Sequence, residues 1–150
     1  MFFMSGVNVR KVATEEDYES VLYLRQDAYP VKKSIDFFRD PLDEAENAIV
    51  LIAEDQEGTP LGTIRIMNRV QGPIELDQYV DVEKIIKKHS KTCAEATRFI
   101  IAPHFDQETI LLALYKAYYR FCKSHGITTA LISSRQNLTQ ELNSLTGNQK

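Results

Sequence analysis

Cys93-Ala-Glu-Ala-Thr-Arg-Phe-Ile-Ile101 has the apolar composition of a strand inside a sheet, yet it carries two charges, Glu95 and Arg98. A second stretch of the same kind, Leu61-Gly-Thr-Ile-Arg-Ile-Met67, carries a third, Arg65. A lone buried charge forfeits much of its hydration energy unless an opposite charge faces it. Three such residues in two strands point to a polar site built on the sheet itself. Strand side chains alternate, so Glu95 and Arg98, three apart, belong on opposite faces. A β-bulge near Ala96-Thr97 would re-aim one of them and leave a backbone N–H and C=O unpaired. A free N–H in that position can hold an oxyanion during acyl transfer. The rival reading is an ion network that only holds the fold together.

The surrounding chain supplies the rest of a sheet. Ala48-Ile-Val-Leu-Ile-Ala53 is a near-continuous apolar run typical of a buried strand, and Asp55 to Pro60 is a turn that returns the chain along Leu61 to Met67. Upstream, Val7 to Val12 alternates as a strand. Thr14-Glu-Glu-Asp17 then has the form of a capping box. The helix it opens places Tyr18, Val21, Leu22, Arg25 and Tyr29 on one stripe and ends at Pro30. Residues 31 to 46 are irregular, with Phe37 and Phe38 beside an acidic stretch.

Downstream, Asp81 to Lys91 reads as a short lysine-rich helix. Asp106 caps a helix to about Ser124, with Ile110, Leu111, Leu114, Ala117, Tyr118 and Phe121 inward and Gly126 closing it. Ile127 to Ser133 is β-rich, and Asn137 to Leu145 reads as a weak final helix. The order βα, hairpin, βα, βα predicts an α/β fold, a mixed sheet with helices on both faces.

Bulk properties narrow the function classes. One domain spanning 1–150 is expected at this length. A net charge of −3 leaves no basic footprint for nucleic acid. The two cysteines, Cys93 and Cys122, and three scattered histidines form no metal motif, so no metal is expected. Met1 to Gly6 reads as a mobile terminus rather than a signal peptide, and no apolar run reaches transmembrane length. The expected setting is cytoplasmic; oligomeric state is not legible.

Arg25 and Tyr29 in Leu24-Arg-Gln-Asp-Ala-Tyr29, then Asp40 and Asp43, Gly62-Thr-Ile-Arg65 and Glu95-Ala-Thr-Arg-Phe99 form an ordered set. Together they resemble the acyl-carrier-protein-dependent branch of the N-acetyltransferase-like (GNAT-like) superfamily, long-chain N-acyl amino acid synthases first and acyl-homoserine-lactone (autoinducer) synthases next. The resemblance covers roughly residues 8 to 133. It implies a GNAT-like, mostly antiparallel sheet with a thioester donor between its two arms, the donor being the acyl-phosphopantetheine of an acyl carrier protein. It implies an amino acid acceptor whose α-amine attacks the donor carbonyl, and no bound cofactor. Glu95 would accept the proton, directly or through water, and Arg98 would bind or orient charge beside it. Arg25, Tyr29, Asp40, Asp43, Arg65 and Phe99 would bind substrate.

Residue chemistry agrees. An ammonium must lose a proton before it attacks, and partial burial raises a carboxylate's proton affinity toward a useful range. Arginine offers a planar fork for a substrate carboxylate. Taken singly, most of these residues have plainer roles: Arg25 snorkelling from a helix, Tyr29 and Phe99 packing, Asp40 and Asp43 forming a turn around Pro41.

The pattern departs from ordinary relatives at two places. Coenzyme-A-dependent members carry a glycine-rich turn after the fourth strand, whose amides cradle a diphosphate. Here Pro103-His-Phe-Asp-Gln-Glu-Thr109 has no glycine and two acids, which favours a carrier-protein donor. Lys84, Lys87, Lys88 and Lys91 are candidate carrier contacts. The sequence also appends no closing hairpin after Ile127 to Ser133, so a fold shortened at the C-terminus is expected. Two alternatives therefore stay open. One is a lactone synthase using S-adenosylmethionine, disfavoured by the lack of any tryptophan. The other is a truncated, non-catalytic acyl-binding relative.

Overall fold

The computed structural model describes residues 2–29, 32–103 and 105–132. Six strands, β1 (Phe2–Met4), β2 (Val7–Lys11), β3 (Ala48–Glu54), β4 (Pro60–Asn68), β5 (Cys93–Ile101) and β6 (Thr129–Ile132), form one sheet in sequence order. Every neighbouring pair is antiparallel except β5 and β6, which run parallel across the connection made by α3 (Gln107–Ser124). The remaining helices are α1 (Glu15–Ala28) and the short α2 (Val82–Ile86). Among the described residues there are also four 3-10 segments: Ile35–Phe38, Pro41–Glu44, Glu75–Gln78 and Lys87–Thr92.

Alternation along the strands sorts the sheet into two faces. Leu51, Ala53, Ile64, Ile66, Ala94 and Ala96 pack beneath Ile110, Ala113, Leu114 and Ala117 of α3 in the main core. The other face presents Val50 and Ile52 toward α1, whose Val21 joins them. Gly62 explains how α3 comes so close: a Cβ there would lie 2.8 Å from the Ile100 carbonyl oxygen and 3.1 Å from Ile110. The helix caps follow the sequence. Thr14 and Asp17 form the capping box of α1, and Tyr29 is extended (φ −112°, ψ 138°), as a residue before proline should be. Asp106 accepts the Thr109 N–H at the start of α3, and Gly126 (φ 67°) follows its end.

Four sequence expectations need correction or placement. The supposedly mobile start forms β1, joined to β2 through Ser5 (φ 50°) and Gly6 (φ 82°), a two-residue turn with positive φ at both positions. The helix expected over 81–91 stops at Ile86, because Lys87 takes φ 60° and 87–92 tightens into 3-10. The bulge falls just beyond Ala96-Thr97, at Arg98–Phe99. Register runs Arg65↔Thr97 and then Thr63↔Ile100, so Arg98 and Phe99 together oppose Ile64. Arg98 itself has φ 54°. The helix expected over Asn137 to Leu145 lies outside the described residues.

Candidate active site

The face of the sheet that α1 covers holds the charged residues. Arg65 and Thr97 are cross-strand partners there, as are Met67 and Glu95. Arg98 would belong to the α3 face by alternation. Its left-handed backbone turns it over, so that its guanidinium joins Arg65 while Phe99 goes to the other side. Arg25 reaches the same place from the buried stripe of α1.

Three carboxylates interleave with these three guanidinium groups. Asp43 takes Arg25 with both oxygens, at 2.7 and 2.9 Å, and its Oδ1 lies 3.2 Å from Arg65 Nη1. Asp40 Oδ2 lies 3.0 Å from Arg65 Nη1 and 2.7 Å from Arg98 Nη2. Glu75 accepts from Arg65 at 3.2 Å and from Arg98 at 2.9 and 3.2 Å. Positive and negative groups alternate through the set, which is how six charges can share a largely buried space. Tyr18 donates its hydroxyl to Asp43. The Arg25 side chain also donates to the Phe38 carbonyl, tying the first 3-10 turn to α1.

Burial and pairing oppose each other in setting the proton affinities. Burial raises the Asp40 carboxyl, but the Leu42 N–H and the guanidiniums of Arg65 and Arg98 outweigh it and hold the group down at about 2. Asp43 is lowered by the same balance, with Arg25 as its main stabiliser. Burial and the Asp43 charge push the Tyr18 hydroxyl up. Burial lowers the Arg98 guanidinium's affinity for its proton, yet Glu75 and Asp40 more than restore it. Asp40 and Asp43 are therefore fixed anions near neutral pH and poor bases.

Besides a cavity of about 230 Å³ that reaches Asp43 beside Tyr18, two cavities open onto this cluster at Arg98. One, of about 270 Å³, is lined by Arg25, Tyr29, Phe37, Phe38, Arg39, Asp40 and Arg98. The other, of about 350 Å³, is lined by Arg39, Asp40, Pro41, Leu42, Glu75, Gln78, Tyr79 and Arg98. Arg39, Asp40 and Arg98 border both. The first has an aromatic wall, in which Tyr29 stacks on Phe38 at 5.7 Å and Phe37 meets Phe38 edge-on at 5.2 Å.

The structure thus gathers Arg25, Asp40, Asp43, Arg65 and Arg98 into one network and puts Tyr29 on a cavity wall. Glu95 sits beside them on β5 at 1% exposure, where it accepts the Leu76 N–H at 3.2 Å, and it borders neither cavity. Phe99 lies on the opposite face against Tyr115 of α3, at 5.2 Å, away from the cluster. Cys93 shares the face of Glu95 but is buried, its thiol pushed up by that burial and donating to the Ser90 carbonyl. Glu75 and Arg39 escaped the sequence reading. A glutamate set between Ile74 and Leu76 in an otherwise irregular stretch was the one available sign of the first.

At the start of α3, Asp106 accepts both the Thr109 N–H and the Thr109 hydroxyl, so a carboxylate occupies the place where a diphosphate would need free donors. The lysines at 84, 87, 88 and 91 are exposed and directly precede β5. The start of α3 follows the far end of that nine-residue strand, about 27 Å away at the usual rise per residue. Among the described residues, no group of three or more His, Cys, Asp or Glu is arranged to hold a metal ion, and no helix is long and apolar enough to cross a membrane.

Comparisons with known proteins agree with this architecture. The family model described as N-acyl amino acid synthase FeeM matches residues 20–147. Among curated proteins, none matches the chain by sequence. Solved structures do resemble it. An acetyltransferase from Trypanosoma brucei aligns with a TM-score of 0.59 at 14% identity, covering 96% of this chain and 93% of the other. The aminoglycoside 6′-N-acetyltransferase AAC(6′)-Ih of Acinetobacter baumannii gives 0.59 at 14%, covering 97% and 92%. AAC(6′)-Iy, solved with a CoA-S-monomethyl-acetylneamine bisubstrate analogue, gives 0.62 at 16%, covering 97% and 92%. These likenesses establish the N-acetyltransferase-like fold expected from the sequence.

Proposed function

Because the chain belongs to the N-acyl amino acid synthase FeeM family and is an acyltransferase by that membership, we propose that it moves a long-chain acyl group from an acyl-carrier-protein thioester to the α-amine of an amino acid. One observation carries this reading: a cavity with an aromatic wall meets a second, more polar cavity along a border made by Arg39, Asp40 and Arg98, directly over the bulged strand. A thioester carrying an oily chain and a zwitterionic acceptor need such a divided space.

In the reaction, the acceptor's ammonium loses a proton, and the neutral nitrogen attacks the thioester carbonyl carbon. The C–N bond forms, the C–S bond breaks, and the second proton shed by the attacking nitrogen passes to the pantetheine sulfur, which leaves as a thiol. Glu95 is the proton acceptor in this scheme, reached through water because its carboxylate borders neither cavity. A backbone N–H freed at the Arg98–Phe99 bulge holds the developing oxyanion. Arg98, Arg65 and Arg25 with Asp40 and Asp43 keep the charged floor rigid, so little reorganisation accompanies the charge that develops. Tyr29 borders the aromatic side. Phe99, packed against α3, acts only by supporting the bulge.

The donor reading rests on Asp106, which takes the first-turn donors of α3 and faces any diphosphate with negative charge. The test is acylation of an amino acid pool by a loaded carrier protein, followed by mass detection of products, with the acyl-coenzyme A of the same chain length in parallel. Product from the carrier protein and little from coenzyme A is expected. Absence of acyl amino acid from either donor sinks the function. Efficient use of coenzyme A sinks the donor assignment. Glu95→Gln should lower kcat by about 10²–10⁴-fold; turnover equal to wild type would remove Glu95 as the base.

A further inference from the structure

Four arginines stand at or beneath the two cavities, and three are already neutralised. Arg25 is held bidentately by Asp43, Arg65 touches Asp40, Asp43 and Glu75, and Arg98 touches Asp40 and Glu75. A substrate carboxylate seated on any of these would compete with a carboxylate that is itself largely buried, at 2% exposure for Asp43, 9% for Glu75 and 17% for Asp40. Arg39 also has two carboxylate partners, but it differs in exposure. Its side chain is 40% exposed, and its two partners, Glu15 and Asp36, are 63% and 74% exposed. Such pairs are screened and exchange readily with water or another anion. Arg39 also borders both cavities and lies over the Tyr18 ring at 5.3 Å, a flat support for a guanidinium plane.

We propose that Arg39 captures the α-carboxylate of the acceptor amino acid, exchanging its contacts with Glu15 and Asp36 for the substrate. This deepens the proposed function and rests on it for the nature of the acceptor. An α-amino acid carries its ammonium one carbon from its carboxylate. Asp40, which lines the same two cavities as Arg39 and is held ionised by Arg65 and Arg98, is then the carboxylate within those cavities for the ammonium to meet. Arg39 supplies the plus and Asp40 the minus of a zwitterion clamp, while the buried network beneath stays intact. Arg39 is then the residue that makes the enzyme require an acid rather than a simple amine.

The test compares L-leucine with L-leucinamide and L-phenylalanine with L-phenylalaninamide, as acceptors with a loaded carrier protein and as ligands in calorimetry without donor. Wild-type protein should prefer each acid. Arg39→Gln should raise KM for the acids about tenfold or more, leave KM for the amides unchanged, and leave kcat at saturating acceptor near wild type. Arg39→Lys should recover part of the loss, because one charge remains without the fork. Unchanged KM for the acids in Arg39→Gln, or wild-type indifference between acid and amide in both assays, overturns the proposal. If no acyl product forms with any acceptor, the acyltransfer reading fails on that result. The calorimetric comparison then decides the Arg39 clamp by itself: acid bound more tightly than amide, with the difference abolished in Arg39→Gln, upholds it, and any other pattern rejects it.

Discussion

Asp43 grips Arg25 with both carboxylate oxygens, 2.7 and 2.9 Å from its two terminal nitrogens, and both side chains are 2% exposed. The contact fastens α1 to the 3-10 turn at Pro41–Glu44, which in turn holds Asp40 over the sheet. Removing one partner leaves the other almost fully buried without its counter-charge. Asp43→Ala should therefore destabilise the protein by about 3–5 kcal/mol in urea unfolding. Replacing both residues, Arg25→Met with Asp43→Leu, should cost less than the single change, because no orphaned charge remains at that position. A double variant less stable than Asp43→Ala would contradict this account.

Acid should loosen the same turn. The Asp40 carboxyl is held at about 2 in the folded protein against about 3.9 in an unfolded chain. A depressed folded value means the stabilisation is complete above about pH 4 and is lost as pH falls from there through about 2. Asp40 contributes about 2 kcal/mol in this way, and Asp43 acts with the same sign. Stability measured from pH 6 to pH 2 should fall chiefly below pH 4, and Asp40→Asn should flatten that fall. An unchanged profile in Asp40→Asn would assign the acid sensitivity elsewhere.

Arg98 occupies a backbone conformation, φ 54°, that a β-carbon disfavours by about 1–2 kcal/mol. The bulge tolerates this because it brings the guanidinium to Asp40 and Glu75. Arg98→Gly should keep the bulge and lose the charge. Arg98→Val should lose the charge and add strain, since a branched β-carbon fits that backbone worst. Both should abolish acyl transfer, and thermal unfolding should rank the valine variant lower by at least about 1 kcal/mol. Equal stability would mean the left-handed geometry stores no strain.

These residues differ in how far the chain announces them. Arg65, Glu95 and Arg98 are conspicuous because charge inside an apolar strand conflicts with its surroundings. Alternation also shows that one extra residue must intervene for Glu95 and Arg98 to share a face. It does not say where, and the break comes at Arg98–Phe99 because Arg98, not Ala96 or Thr97, takes the left-handed backbone. Asp40 and Asp43 look like turn formers in isolation, and Asp40 does cap its turn through the Leu42 N–H. Their burial depends on α1 and the sheet meeting across a loop, a relation no local pattern encodes. Glu75 is hidden for the same reason, since only the fold of 71–78 back over β4 and β5 brings it to Arg65 and Arg98. The strand β1 was available in the Ser5-Gly6 pair, a turn signal that a three-residue partner made easy to pass over.

On the proposed function, with Glu95 as the base, Thr97 is a candidate relay for the proton. It lies two residues beyond Glu95 on the same face of β5 and opposite Arg65 on β4. Among the described residues its hydroxyl, at 2% exposure, has no hydrogen-bond partner, and neither has the nearby Arg65 Nε. An unpaired hydroxyl at such burial costs stability, so a purely structural Thr97 should be improved by Thr97→Val, which keeps the shape and removes the polar atom. A relay threonine should show a different pair of outcomes: stability equal to or above wild type, together with a kcat about tenfold or more lower and KM for the amino acid unchanged. Thr97→Ser, which restores the hydroxyl, should recover most of the rate. If Thr97→Val is both more stable and fully active, the proton takes another path and the unpaired hydroxyl has no part in catalysis.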